Sequence, residues 1–226
     1  MRQIFIRMRI VTLVLFMAVV GCAVPRAGIL LPDGSTVYEI YPRVEFIDDE
    51  RRAVPVEHFP KDMKLIFPSI SGQIDGVFAS APLQIVHVTN GSEFRLDLGG
   101  MTRSIHDASK TFIKNIITRG LSIVPPSTKL ARIATLAVDA NTGKSIGGAG
   151  FIHPESRDYV ILIYVDRPCS LPGTLLINGL SIEHDVRLEN SGFHWLRYHR
   201  LEEGRLLLKE HPGGDDVLFS IQVDEP

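Results

Sequence analysis

The chain has 226 residues, of which 45% are hydrophobic and 22% charged, and its formal net charge is −2 at pH 7. This length and apolar content suit one domain of moderate size or two small ones, each with a hydrophobic core. The acidic residues slightly outnumber the basic ones, and no basic patch of the kind that a phosphate backbone requires is present. Nucleic acid is therefore excluded as an expected partner.

The first 21 residues predict an export signal. Three arginines lie within the first nine residues, an apolar run that only Thr12 interrupts spans residues 10–20, and a small residue, Gly21, closes it. A charged start, an apolar core and a small-residue exit are typical of a secretory signal. Since the apolar run is shorter than the roughly 20 residues of a membrane-spanning helix, residues 1–21 predict a cleaved signal peptide and no permanent transmembrane anchor.

The end of this signal, Val19-Val20-Gly21-Cys22, resembles the lipobox of bacterial lipoprotein precursors. That resemblance implies cleavage before Cys22, diacylation of its sulfur and acylation of the new amine, so that the membrane would be a partner through a lipid anchor. Ala23 stands where an inner-membrane lipoprotein often carries aspartate, which implies the outer membrane with the protein facing the periplasm. The alternative is ordinary signal removal, which would leave a soluble protein.

The body reads mainly as short strands joined by turns. Residues 22–28 would form only a short tether, because six extended residues reach about 20 Å. Asn-Gly, Asp-Gly and Gly-Gly pairs between apolar runs are typical of β-hairpins. The predicted strands are 29–31, 36–41, 44–47, 63–67, 71–74, 77–79, 83–89, 93–98, 121–124, 131–140, 159–165, 206–208 and 217–223, with turns at Asp33-Gly34, Asp75-Gly76, Asn90-Gly91, Asn178-Gly179, Glu203-Gly204 and Gly213-Gly214.

One amphipathic helix is predicted over residues 104–119. Ser104 and Asp107 resemble a capping box, apolar residues recur at helical spacing, and Gly120 follows as a stop. The interpretation that we favour is a helix packed on a sheet, and the alternative is a helix lying on the membrane surface. The order of hairpin, helix and strands over residues 83–140 resembles, in pattern only, the α/β core of several small outer-membrane accessory lipoproteins, and it implies an accessory role.

The predicted fold class is α+β, predominantly antiparallel β. We expect a hairpin-rich α+β domain over residues 29–155 with the single helix, and a small β-sandwich-like domain over residues 156–226. The boundary lies near 153–158, where Pro154 and a polar run interrupt the strand pattern.

Candidate chemistry is sparse. Residues 138–150 partly match a phosphate-binding loop and a calcium loop. The phosphate-binding loop requires glycine where Val138 stands, and the calcium loop requires an acid where Gly150 stands, so a strand–turn–strand explains the stretch better. His194 and His199 are five apart and fall on opposite faces of a strand, which makes them poor ligands of one metal. Cys169 has no partner if Cys22 is lipidated; it is either buried or a reactive thiol. We predict no catalytic residues, metal or cofactor.

The stretch 193–200 offers the one candidate binding surface. On a strand, Phe193, Trp195, Arg197 and His199 share a face and would form an aromatic and basic platform able to stack on a sugar or grip a peptide. The alternative is that Trp195 anchors the core. From all of this we expect a non-enzymatic lipoprotein that supports an envelope assembly or export complex through protein partners, and, as the alternative, a module that binds glycan or another small ligand.

Overall fold

The computed structural model describes residues 26–55, 60–70, 82–89, 93–105, 122–177, 179–202, 204–212 and 217–222. Over these residues the fold is dominated by β-strands, most of them paired antiparallel, with one short helical segment. The prediction of a predominantly antiparallel β fold with an α component is therefore confirmed. Residues 1–25, with the predicted signal and Cys22, lie outside the described part of the chain.

The strands are numbered here in chain order. They are β1 (Ile29–Leu30), β2 (Thr36–Val37), β3 (Glu39–Ile40), β4 (Arg43–Ile47), β5 (Asp62–Ile70), β6 (Pro82–Thr89), β7 (Leu96–Asp97), β8 (Leu130–Ile133), β9 (Leu136–Asp139), β10 (Ser145–Ile152), β11 (Tyr159–Val165), β12 (Cys169–Ile177), β13 (Leu180–Leu188), β14 (Gly192–Glu202), β15 (Arg205–His211) and β16 (Leu218–Gln222). The helical segment, α1, covers residues 98–105 within the described part of the chain.

One large sheet contains most of these strands. Its order is β12-β13-β15-β14-β11-β8-β5-β9-β10-β16-β4, with β6 on the free side of β5 and β1 and β2 attached to β14. The sheet forks at one edge of β11. Along that edge, β8 pairs with one end of β11 and β10 pairs with the other end. A small second ladder joins β3 to β7.

Hydrogen bonds between strands cross the boundary predicted near residue 155. β11 pairs with β8, β16 pairs with β4 in parallel, and Ile29 of β1 is in register with Phe193 of β14. The division into domains at 155/156 stays a prediction, and this shared sheet does not favour it. Sequence signals are local, whereas the pairings of β16 with β4 and of β1 with β14 join residues more than 100 positions apart.

Several predicted hairpins are confirmed by strand register. β1 pairs with β2 around Gly34, β9 with β10 around Gly143, β12 with β13 around Gly179 and β14 with β15 around Gly204. Each of these four glycines has a positive φ, between 69° and 83°, which a residue without a Cβ adopts at little cost. The turn signal predicted these connections because the twist of such a turn matches that of its strands.

Two other predicted hairpins are wrong. β6 pairs with β5 and not with residues 93–98, and β16 pairs with β10 and β4 and not with β15. The turns themselves, at 90–91 and 213–214, and the Asp75-Gly76 turn lie outside the described residues. The local turn signal therefore does not decide these two pairings.

The helix begins earlier than predicted. Residue 98 is its first helical residue, and Asp97 caps it, because its Oδ1 accepts a hydrogen bond from the Gly100 backbone N–H at 2.7 Å. Ser104 is therefore inside the helix and does not cap it, and residues 106–119 lie outside the described part. The predicted strand 93–98 shortens to β7 for the same reason.

The strand predicted over 131–140 is likewise two strands. β8 ends at Ile133 and β9 begins at Leu136, and β5 pairs antiparallel with both strands. The Ala134 N–H donates to the Pro68 carbonyl oxygen at 2.9 Å in the break between them. Of the predicted strand 121–124, residue 121 is outside the described part and Val124 makes a single bridge to Ser170.

Two apolar clusters lie on the two faces of the central strands. Successive residues of β11 point alternately into the two clusters. Val160, Leu162 and Tyr164 belong to the larger cluster, and Ile163 and Val165 belong to the smaller one. The larger cluster contains most of the buried aromatic residues and the first residues of α1. The smaller cluster forms where β12, β13 and β15 extend the sheet beyond β14.

Candidate functional site

The predicted aromatic platform is not on the surface, which corrects our first interpretation of the Trp195 face. Phe193 and Trp195 are each 1% exposed and belong to the larger core cluster. The Trp195 ring packs edge-on against Phe151 at 4.8 Å between centroids, and Phe193 packs similarly against Tyr164 at 5.4 Å. Trp195 therefore anchors the core, as the alternative interpretation stated, because an apolar ring of this size gains most from full burial.

The other two platform residues are only partly buried, and one of them is held by an acid. Arg197 donates two hydrogen bonds, from Nε and from one terminal nitrogen, to Oδ2 of Asp158 at 2.9 and 2.8 Å. Burial lowers the pKa of His199, and the positive charge of Arg197 lowers it further. Neither side chain stacks with Trp195 as a platform for a sugar would require.

His194 is buried on the opposite face of β14 from His199. Its Nδ1 lies 2.8 Å from Oε1 of Glu210, and its Nε2 lies 3.0 Å from the Asn190 carbonyl oxygen. Among the residues that the structure describes, no group of three or more histidine, cysteine, aspartate or glutamate side chains could hold a metal ion.

Cys169 is buried in the smaller cluster, 6% exposed. Burial raises the pKa of its thiol to about 11, and the charge of Asp166 adds to the effect. Since the thiolate is the reactive form, this environment favours the structural interpretation over a reactive thiol.

The stretch 138–150 forms a hairpin turn that uses its own acid. Asp139 Oδ1 accepts hydrogen bonds from the backbone N–H groups of Asn141 and Thr142, at 2.9 and 2.6 Å. These bonds lower the pKa of Asp139, the one from Thr142 most strongly. The carboxylate is thus engaged in closing the turn.

A groove that the sequence analysis did not anticipate lies at the fork of the sheet. Its volume is about 1110 Å³. Apolar residues form much of its lining: Ile133, Phe151, Tyr159, Val160, Ile161, Leu180, Ile182, Tyr198, Leu201 and Leu206. The polar lining consists mainly of Arg51, Arg132, Asp158, Arg200, Glu202 and Arg205.

The groove is the open end of the smaller apolar cluster. Ile182 is buried in that cluster and also lines the groove, while Ile161, Tyr198 and Leu206 are only partly buried against it. At the hairpin tips beside the groove, Leu180 is 41% exposed and Leu201 48% exposed. Apolar surface that continues from a core into an open groove is typical of a binding site.

The charged residues of the groove differ in whether they are paired. Arg205 binds both Glu183 and Glu202, which raises the pKa of its guanidinium, and Asp158 is held by Arg197. The Arg51 guanidinium carbon lies 4.2 Å from the centre of the Tyr159 ring. Arg132 and Arg200 are exposed, and neither forms an ion pair with any residue in the described ranges.

Gly150 contributes empty space to the groove. It pairs with Ser220 as an ordinary strand residue, and a Cβ added to it would meet no atom within 4 Å. Neither backbone conformation nor packing therefore requires glycine at this position. A glycine here keeps the wall of the groove free of a side chain.

His184 lies two residues beyond Ile182, on the same face of β13. Both of its ring nitrogens are buried and have no hydrogen-bond partner among the described residues. Burial lowers its pKa to about 4, so the ring is neutral at pH 7.

Comparisons of the chain with protein-family models, with curated proteins and with solved structures find no match. What the protein does is therefore inferred from its own residues. In the described part of the chain, no helix is both long and apolar enough to span a bilayer.

The groove residues were missed because they come from six separate strands. Arg132, Gly150, Ile161, Ile182 and Arg200 are adjacent only through the fork and the returning β13–β15 layer. The one signal in the sequence was the glycine run at 147, 148 and 150, which lies within a strand and beyond its turn.

Proposed function

We propose that this chain is a lipid-anchored lipoprotein of the cell envelope, facing the periplasm, that supports an assembly or export complex by binding and not by catalysis. The lipobox at Val19-Val20-Gly21-Cys22 supports the anchor. The observation that carries the proposal is how soon the fold begins after Cys22. The Ala27 N–H donates to Oγ1 of Thr102 at 3.1 Å, and the Gly28 carbonyl oxygen accepts from the Phe193 N–H at 3.0 Å.

An anchor at Cys22 would hold the fold against the membrane. The five residues from Cys22 to Ala27 span at most about 17 Å. Ile29 is in register with Phe193 near the start of β14, and Arg200 lies seven residues further along that strand, which is about 23 Å. The Arg200 end of the groove would therefore be well separated from the attachment point and accessible to a partner in the periplasm, whereas Arg132, at the other end, is level with His194.

The direct test is membrane fractionation of cells that produce the Cys22→Ser variant. We expect the variant to leave the membrane fraction, since no acyl chain could then be attached. Cys169→Ser is the matched control, because it removes the other cysteine of the chain and should leave the protein on the membrane. Continued membrane association of Cys22→Ser would contradict the anchor.

The accessory role is tested by the native size of the wild-type protein extracted in mild detergent. We expect an assembly much larger than 25.1 kDa, with partners identified reproducibly by mass spectrometry. A lone monomer would contradict this role.

A second candidate function is a module that binds a glycan or another small ligand of the envelope. The groove supports small-ligand binding, whereas the burial of Trp195 does not favour stacking on a sugar. In this second candidate function the binding site is the groove and not the predicted platform of Phe193, Trp195, Arg197 and His199.

A further inference from the structure

The groove combines an apolar floor with positive charge that is not neutralised. Its two acids are each paired with an arginine, Asp158 with Arg197 and Glu202 with Arg205. Arg132 and Arg200 have no acidic partner in the described part of the chain. The electrostatic complement of this groove is therefore an anion.

The two arginines stand at separate positions along the groove. Arg132 is in register with Ile163, and Ile163 with His194, so Arg132 and Arg200 are six strand residues apart along the sheet. At the rise of a strand this is about 20 Å. Ile161 and Tyr198 lie at intermediate positions on the groove wall, and Leu206 lies beside Arg200. An elongated apolar body would cover them while its charged end reached one of the arginines.

The backbone at the fork is already hydrogen-bonded. The Ala134 N–H donates to Pro68, Thr135 Oγ1 donates to the Ala149 carbonyl oxygen, and Ser220 Oγ donates to the Gly150 carbonyl oxygen at 3.2 Å. An added peptide strand needs a free row of N–H and C=O groups. The groove therefore favours a ligand recognised by its apolar body and its charge over a peptide that extends the sheet.

We propose that this groove binds an elongated amphipathic anion, a single alkyl or acyl chain that ends in a carboxylate or a phosphate. The chain lies on Ile161, Tyr198 and Leu206 in the space that Gly150 leaves, and the anionic end pairs with Arg132 or Arg200. This deepens the second candidate function, on which it rests, and it does not depend on the accessory role.

The test is calorimetric titration of the full chain carrying Cys22→Ser, exported and purified without detergent. The probes are dodecanoate, dodecyl phosphate and dodecyltrimethylammonium, each below its micelle concentration. We expect both anions to bind one site, and the cation of equal chain length to bind at least about tenfold more weakly, since a single charge-assisted contact is worth a factor of this order.

Two kinds of variant assign the binding to the groove. Arg132→Gln and Arg200→Gln alter exposed side chains, and the double variant should weaken binding of both anions about tenfold or more, with the larger single effect marking the end that holds the charge. Gly150→Leu should weaken binding of both anions by filling the groove. Arg187→Gln is the matched control, because Arg187 is an exposed arginine of β13 that does not line the groove.

The proposal is overturned if the wild-type chain binds neither anion, or if the cation binds as tightly as the anions. It is also overturned if the folded double variant binds dodecanoate as the wild type does. Binding of a neutral envelope glycan alone would keep the small-ligand function and replace the ligand class proposed here. Thermal melts of each variant confirm folding, and the glutamine variants decide the outcome if Gly150→Leu does not fold.

Discussion

The backbone N–H of Phe193 donates to the carbonyl oxygen of Gly28 at 3.0 Å, which attaches the first described residues to the strand that carries Trp195. The approach is so close that the preceding residue, Gly192, has no room for a side chain. A Cβ at position 192 would lie 2.7 Å from the Gly28 oxygen, and φ of Gly192 is 127°. The N-terminal segment is thus packed into the fold directly after the predicted anchor.

Gly192→Ala should destabilise the protein by about 1–3 kcal/mol, because both the positive φ and the contact with Gly28 must be relieved. Chemical denaturation measures the change in the free energy of unfolding. Gly148→Ala is the matched control, since a Cβ there meets its nearest atom at 3.9 Å. Equal stability of the two variants would contradict the close contact between Gly192 and the carbonyl oxygen of Gly28.

Replacement of Trp195 distinguishes a core residue from a binding residue. Trp195→Ala should lower the free energy of unfolding by about 3–5 kcal/mol, as expected for a fully buried aromatic ring. Trp195→Phe should cost less, because it keeps a ring in the core and removes an indole N–H that is buried without a partner in the described structure. Tyr38→Ala, at a side chain that is 43% exposed, should change stability by less than about 0.5 kcal/mol. A small loss for Trp195→Ala would contradict the buried position.

His184 makes stability depend on pH in a defined window. Its pKa is about 4 in the folded state against an ordinary value of 6.5, so between these values the unfolded chain binds more protons than the folded chain. Stability contributed by the neutral ring is therefore full above pH 6.5 and is lost as the pH falls towards 4. Because the side chain retains some exposure, we expect a loss of about 1–2 kcal/mol from this residue.

His184→Leu checks this by comparison with the wild type. The free energy of unfolding, measured at pH 7 and at pH 4.5, should fall less for the variant than for the wild type, since leucine has no proton to bind. An identical fall for both proteins would exclude His184 as the source.

Cys169 should not react with thiol reagents in the folded protein. The raised pKa, about 11, leaves little thiolate at neutral pH, and the side chain is 6% exposed. Labelling with an aromatic disulfide reagent should be slow in native Cys22→Ser protein and complete within minutes after unfolding in guanidinium chloride. Rapid labelling of the native protein would identify Cys169 as an accessible, reactive thiol.

Local features of the sequence predicted local structure well. The turns at Gly34, Gly143, Gly179 and Gly204 follow from residues that accept a positive φ, and the apolar run at 159–165 became a central strand with neighbours on both edges. The charged segment at 48–52 is likewise closed by a local contact, because Arg52 binds Asp48 and Glu50 at 2.7 and 2.8 Å.

Long-range pairing could not be predicted from one sequence. Nothing in β4 signals that it pairs with β16, more than 170 residues later, and the fork that forms the groove depends on β8, β10 and β11 meeting. Trp195 shows the same limit, because alternation along β14 placed it correctly beside Phe193 but could not show which face of the strand is covered.

The anchor is tested most directly by mass spectrometry of the N-terminal peptide of the wild-type protein extracted from its own membranes. We expect a peptide that begins at Cys22 and carries the mass of two or three acyl chains, since one chain alone binds a membrane only marginally. A peptide that begins at another residue, or one in which Cys22 carries no lipid, would contradict a lipid anchor at Cys22.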